Sequence, residues 1–165
     1  MKKQMIGILF LGFAAIWMGI IFLLSHQNGV TSGGLSDQLG LDFIYIFMRR
    51  YYENCTPEQQ QALLYSVASF FRKAAHFLEY GILAFFLYVG FSGFFKIKYC
   101  NALSFAICFL YAVSDEYHQS FVAGRSPQLK DVMIDSLGAL SVLLGIAIIN
   151  QLLYFMRIGR RKYVD

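Results

Sequence analysis

Four long apolar stretches restrict what this chain can fold into. A helix needs about 20 mostly apolar residues to cross the hydrocarbon core of a bilayer. Across the 165 residues, 58% are apolar, above the roughly 45–50% of soluble domains. The sequence therefore predicts an all-α polytopic membrane protein, a single domain over residues 1–165 with four transmembrane helices. The predicted spans cover about residues 6–24, 77–95, 99–119 and 132–156.

The segment 25–72, between the first two stretches, is too polar to be a span. Residues 29–40 are rich in Gly and Ser, which predicts a loop. Residues 41–52 are apolar and aromatic but too short to span, which predicts an interfacial amphipathic helix. The pair Thr56-Pro57 predicts a helix start, because Thr caps free backbone N–H groups and Pro is tolerated at the first helical position. Apolar residues then recur at helical spacing, so a second amphipathic helix is expected to run unbroken into the second span.

Basic residues determine the expected orientation. They cluster near positions 2–3, 96–98 and 157–162, and all three groups fall on one side if there are four spans. Short basic segments favour the cytoplasm, so we expect a multi-pass protein of the cell membrane with both termini inside (N-in/C-in). Segment 25–72 and every polar cluster then lie on the extracytoplasmic face. The bilayer is the expected partner, and nucleic acid is not, because no basic stripe exists away from the ends of apolar runs.

Two smaller patterns concern packing. Gly138, Ala139 and Gly145 provide small side chains in the fourth span, which predicts close helix packing in the membrane. Three cysteines show no CxxC pair or metal-ligand spacing, which predicts unpaired thiols.

Two polar clusters adjoin the apolar stretches. The first opens the second span, where Lys73, His76, Glu79 and Tyr80 share one helix face. We expect Lys73, His76 and Glu79 to face inward and Arg72 to lie among the lipid headgroups. The second cluster is spread over the third and fourth spans and consists of Asp115, Glu116, Gln119, Arg125, Asp131 and Asp135.

These clusters allow three interpretations. In the first, the charges only pair with one another and tie the second, third and fourth spans together. In the second, they form a site for an anionic headgroup, in which Arg125 and Lys73 bind phosphate. The remaining predicted ligand-binding residues are Tyr80, Gln119, Asp131, Asp135 and Gln27. In the third, His76 with nearby acids and His118 binds a divalent cation, but no specific ligand motif is present and no metal ligands or cofactor are assigned.

Chemistry at such a site would depend on proton transfer. A histidine such as His76 can act as a general base or acid. Carboxylates at the edge of an apolar span can also exchange protons with a bound group. The candidate catalytic residues are therefore His76, Glu79, Asp115 and Glu116.

In this order, the polar motifs resemble those of the VanZ-like family of membrane proteins. The matching segments are the polar end at 25–27, the entry at 72–80, residues 114–121 with Gly124-Arg125, and residues 131–138. The resemblance implies a small polytopic protein of the bacterial cell envelope. For the founding type it implies lowered sensitivity to teicoplanin, a lipoglycopeptide that acts at the outer membrane face.

Two hypotheses follow from the residues and the resemblance together. In one, the extracytoplasmic cluster binds or modifies a headgroup, such as that of a lipid-linked cell-wall precursor or a glycolipid. In the other, the protein is a non-enzymatic scaffold or shield whose charged residues only hold the helices together. Loss of a cluster residue would abolish function with expression intact in the first case, and would abolish folding in the second.

Overall fold

The computed structural model describes residues 1–26, 29–122 and 128–161. Within those residues the chain forms helices and no strand. The helices are α1 (Lys2–Ser25), α2 (Gly29–Phe47), α3 (Arg49–Glu53), α4 (Pro57–Ser92), α5 (Ile97–Gln119) and α6 (Leu129–Arg161). The four segments long and apolar enough to cross a membrane are Lys2–Ser25, Pro57–Ser92, Ile97–Gln119 and Leu129–Met156. The predicted all-α fold with four spans is confirmed.

Helix α4 organises the fold, since α1, α2, α5 and α6 all pack against it. Its 36 residues correspond to about 54 Å of helix, well beyond the roughly 30 Å of a hydrocarbon core. The first half packs against α2, and the second half lies against α1, α5 and α6. One continuous helix thus joins the segment before the second span to the centre of the bundle.

The start of α4 follows the predicted capping chemistry. Thr56 Oγ1 accepts a hydrogen bond from the Gln59 backbone N–H, and Gln59 Oε1 accepts one from the Thr56 backbone N–H at 3.0 Å. Pro57 occupies the first helical position. The predicted helix start and the unbroken continuation into the second span are confirmed, although the helix ends at Ser92 rather than at residue 95.

The predicted loop over residues 29–40 is wrong, because α2 is helical from Gly29 to Phe47. The predicted helix over 41–52 is instead divided between α2 and the short α3. Packing on α4 provides the physical reason. Ile44 is fully buried, and a Cβ atom at Gly40 would lie only 3.2 Å from Leu64. Such tertiary contacts stabilise a helix whose glycine content alone disfavours it.

Glycines allow the spans to approach one another closely. A Cβ atom at Gly138 would collide with the Phe77 carbonyl oxygen of α4, and one at Gly90 would lie 2.7 Å from the Leu11 side chain of α1. The predicted close packing at Gly138 is therefore confirmed. Gly145 differs, since apart from its own turn of helix no atom of the described residues lies within 4 Å of the position that its Cβ would take.

Polar side chains also join the spans. The Trp17 indole N–H donates to the Glu79 carbonyl oxygen at 2.9 Å, and the Tyr111 hydroxyl donates to the Met18 carbonyl oxygen at 2.6 Å. Large apolar side chains such as Ile16 on α1 point outward, as expected of a surface that faces lipid. The three cysteines, Cys55, Cys100 and Cys108, are free thiols.

Candidate functional site

A histidine on α4 meets an aspartate on α6 at one end of the bundle. His76 Nδ1 lies 3.6 Å from Asp135 Oδ1 and 4.0 Å from Glu79 Oε2. Asp135 is 2% exposed, whereas the side chains of His76 and Glu79 are 18% and 19% exposed. The same imidazole nitrogen therefore faces both a buried acid and a more accessible one. At these distances the contacts are electrostatic, and neither His76 Nδ1 nor Asp135 Oδ1 has a hydrogen-bond partner among the described residues.

The end of α5 connects this region to α1 and to the start of α6. The Gln119 side-chain amide is buried and donates to Ser25 Oγ at 2.7 Å and to Asp115 Oδ2 at 3.3 Å. Glu116 Oε1 accepts a hydrogen bond from the Gln128 backbone N–H, just before α6 begins. Gln119 thus joins the ends of α5 and α1, and Glu116 joins α5 to the residue before α6, while Asp115 binds Gln119 within α5.

Tyr80 lies inside the bundle. Its side chain is fully buried, and its hydroxyl has no hydrogen-bond partner among the described residues. The carboxylates of Asp115 and Asp135 lie within electrostatic reach of that hydroxyl. Asp135 also interacts electrostatically with the half-buried Asp131. Acidic groups from α4, α5 and α6 therefore converge on one end of the bundle.

A pocket of about 140 Å³ opens beside this acidic region. The end of α1, the middle of α2 and the centre of α4 form its walls. Its polar lining consists of Ser25, Ser36, Arg72, His76 and Glu79, and its apolar lining of Leu24, Leu35, Leu39, Phe71 and Ala75. The pocket thus offers a cation, an imidazole, a carboxylate and two hydroxyl groups beside an apolar wall.

The structure reverses the expected positions of two neighbouring cations. Arg72 lines the pocket, and its Nε atom is buried without a hydrogen-bond partner among the described residues. Lys73 is exposed and does not line the pocket, so the expectation that it faces inward is wrong. Arg72, His76 and Glu79 are spaced by four and three residues and so share a helix face, whereas Lys73 is rotated about 100° from Arg72.

Some pocket residues were missing from the predicted site. Ser36 belongs to the segment predicted as a loop, and no sequence pattern indicates its role. The spacing of Arg72 from His76 and Glu79 was a usable signal, because it places all three on one helix face. Two predicted ligand-binding residues, Gln27 and Arg125, lie outside the described residues.

The histidine predicted to join the acids has a different neighbour. His118 Nε2 lies 3.1 Å from His26 Nδ1, at the ends of α5 and α1. In the part of the chain that the structure describes, no group of three His, Cys, Asp or Glu side chains is arranged to hold a metal ion. Among the side chains that line the pocket are the guanidinium of Arg72, the carboxylate of Glu79 and the imidazole of His76.

Comparison with known proteins adds one finding about ancestry. A family model described as VanZ/LLP1 matches residues 10–153 of the chain. This region contains every residue that lines the pocket. No curated protein and no solved structure matches the chain.

Proposed function

Because this chain belongs to the VanZ-like family and is a multi-pass membrane protein, we propose that it acts in the bacterial cell envelope by binding a lipid-linked headgroup. The observation that carries the proposal is the lining of one pocket. Arg72, His76 and Glu79 share it with an apolar wall. Ligand sites commonly combine an apolar surface with a few convergent polar groups.

The charges of the pocket suggest the class of ligand. Arg72 can bind a phosphate or another anion through its planar guanidinium. Glu79 and the two serines can bind hydroxyl or amine groups. A headgroup that carries both an anion and hydroxyls, as in a glycolipid or a lipid-linked cell-wall precursor, fits this set. Leu35, Leu39 and Phe71 provide an apolar surface for the adjoining lipid part.

The proposed orientation places this pocket on the extracytoplasmic face. The positive-inside rule supports it, because Lys2, Lys3, Lys96 and Lys98 flank the opposite helix ends. A pocket on that face would meet headgroups of the outer leaflet. By analogy with the founding type of the family, we extend the proposal to lowered sensitivity to teicoplanin.

Within this proposal, His76 is the residue best placed for chemistry on the bound headgroup. It lines the pocket, and Asp135 lies behind its Nδ1 atom at 3.6 Å. Glu79 is the second predicted catalytic group that reaches the pocket. Asp115 and Glu116 make the contacts to Gln119 and Gln128 described above, so we now assign them a positioning role.

Neighbouring cations on α4 provide a matched test. Arg72→Ala should weaken binding of a polyprenyl-diphosphate-linked sugar to the purified protein in nanodiscs, and Lys73→Ala should leave binding nearly unchanged. In cells that depend on the protein for teicoplanin tolerance, Arg72→Ala, His76→Ala and Glu79→Ala should increase sensitivity at equal protein level. Unchanged binding and sensitivity in all three variants would contradict the proposed site.

The scaffold or shield is the second candidate, and specific contacts favour it. The His76–Asp135 contact joins α4 to α6, and the Gln119–Ser25 hydrogen bond joins α5 to α1. Asp135→Asn separates the two candidates, since it removes the charge and preserves the shape. A scaffold should lose folded protein in the membrane, whereas a binding site should lose ligand binding at a normal protein level.

A further inference from the structure

Two of the three histidines of the chain meet outside the pocket lining. His26 follows the last residue of α1, and His118 lies in the last turn of α5. Their Nδ1 and Nε2 atoms are 3.1 Å apart, although 92 positions separate them in the sequence. His26 is exposed and His118 is half-buried. Neither residue lines the pocket.

The surroundings hold this histidine pair in place. The Phe22 ring stacks on His26 at a centroid distance of 6.1 Å and lies 4.5 Å from the His118 ring. The residues next to the two histidines, Ser25 and Gln119, form the buried hydrogen bond that ties the same helix ends together. Contact with Phe22 and the adjacent hydrogen bond therefore hold the two imidazoles close together before a metal binds, as a preformed ligand pair requires.

We propose that His26 and His118 form a binding site for a divalent transition-metal ion of the Zn²⁺, Ni²⁺ and Cu²⁺ class. These ions bind imidazole nitrogen at about 2.0–2.1 Å. Two nitrogens 3.1 Å apart would then subtend roughly 100° at the ion, between the square-planar and tetrahedral angles. Mg²⁺ and Ca²⁺ prefer oxygen ligands and are not expected to bind there.

Binding requires only a local rearrangement. The two rings lie within 26° of parallel with centroids 5.3 Å apart. The facing nitrogens are at hydrogen-bond distance, and the tautomer decides which ring supplies the N–H proton between them. On metal binding, this proton moves to the other nitrogen of its own ring, and both facing nitrogens then offer a lone pair. The rings are accessible enough to turn toward an ion, and water completes its coordination.

The test uses tag-free full-length protein in detergent, stripped of metal with a chelator and titrated with Zn²⁺ in a calorimeter. The wild type should bind one Zn²⁺ per chain, whereas His26→Gln and His118→Gln should each lose this binding. His76→Gln removes the third histidine and should retain it. Titration with Mg²⁺ should give no binding.

A spectroscopic measurement covers the case in which a variant fails to fold. With one equivalent of Cu²⁺ bound, the paramagnetic resonance spectrum of the wild-type protein should show coupling to two imidazole nitrogens. Absence of Zn²⁺ binding in the wild type, full binding by His26→Gln or His118→Gln, or loss of binding in folded His76→Gln would each overturn the proposal. So would a Cu²⁺ spectrum without two coupled nitrogens.

Discussion

Single residues determine how closely the spans can pack and which polar groups they bury. Gly138 lets the backbone of α6 approach the Phe77 carbonyl oxygen of α4. One turn away from Phe77, Gly81 lies against the same helix, where a Cβ atom would be 3.1 Å from Val142. This close approach brings Asp135 of α6 to His76 of α4. The polar contact therefore depends on the small residues beside it.

Gly138→Ala should destabilise the protein by about 1–3 kcal/mol, because its methyl group would collide with a backbone oxygen that cannot turn away. Gly145 lies in the same helix, and apart from its own turn no described atom is within 4 Å of its Cβ position. Gly145→Ala should therefore change stability by less than about 0.5 kcal/mol. Thermal unfolding of both variants in detergent checks the difference. Equal melting temperatures for the two variants would contradict this account of the α4–α6 contact.

Gln119→Leu should cost about 1–3 kcal/mol of stability, since it removes a buried donor to both Ser25 and Asp115. Ser25→Ala removes the other member of the 2.7 Å hydrogen bond. In a double-mutant cycle, the two substitutions should couple by about 0.5–1.5 kcal/mol. Denaturant unfolding of the four proteins measures this coupling. Strictly additive effects would show that the hydrogen bond contributes nothing to stability.

At the scale of helices, α4 connects the segment before the second span to the centre of the bundle, and α2 forms one wall of the pocket. The capping box at Thr56 sets where α4 begins. From there the helix presents one face to α2, through Leu64, Ala68 and Phe71, before it enters the bundle. The pocket forms where this face reaches the polar turn that contains Arg72 and His76.

Thr56→Ala should loosen the first turn of α4 at a cost of about 1 kcal/mol, because the Gln59 backbone N–H loses its acceptor. Hydrogen exchange at that amide should therefore speed up by roughly fivefold, as RT relates 1 kcal/mol to an equilibrium constant. Ser66→Ala is the control, since Ser66 lies inside the same helix and its hydroxyl donates to the Ala62 carbonyl oxygen. Equal exchange at Gln59 in both variants would argue against the cap.

The sequence predicted those helices that are marked by a long apolar stretch or by a capping motif. Apolar length located the four spans, and Thr56-Pro57 located the start of α4. The first half of α2 could not be found in this way, because its helix is stabilised by contact with α4 rather than by its own residues. The contact between His26 and His118 was also hidden, since it depends on how α1 and α5 meet.

The residues of the predicted site also divide into those that helical spacing or span count can locate and those that depend on how the helices pack. A spacing of three allows Lys73 to share a face with His76, whereas spacings of four and seven allow Arg72 to share one with both His76 and Glu79. The packing of α2 on α4 selects Arg72. In contrast, the meeting of His76 with Asp135 was within reach of sequence reasoning, because four spans bring both polar turns to one end of the bundle.

At the scale of the whole molecule, one end of the bundle holds the acidic groups, the pocket and the histidine pair. The other end carries the polar contact between Asn150 and Tyr88, at 2.8 Å, and the lysines that flank α1 and α5. The proposed function requires that the first end face the outside. Orientation in the membrane is therefore the property on which the headgroup proposal depends most directly.

The native cysteines allow that orientation to be tested. Cys55 lies between α3 and α4 and is half-buried, whereas Cys100 and Cys108 are fully buried. With segment 25–72 outside, a membrane-impermeant maleimide should label Cys55 in intact cells, and Cys55→Ser should abolish the labelling. Tyr51→Cys in the Cys55→Ser background places a thiol at a position where the native side chain is 62% exposed, and this thiol should be labelled faster. If both thiols react only after the cells are permeabilised, the pocket faces the cytoplasm, and an extracytoplasmic headgroup cannot be its ligand.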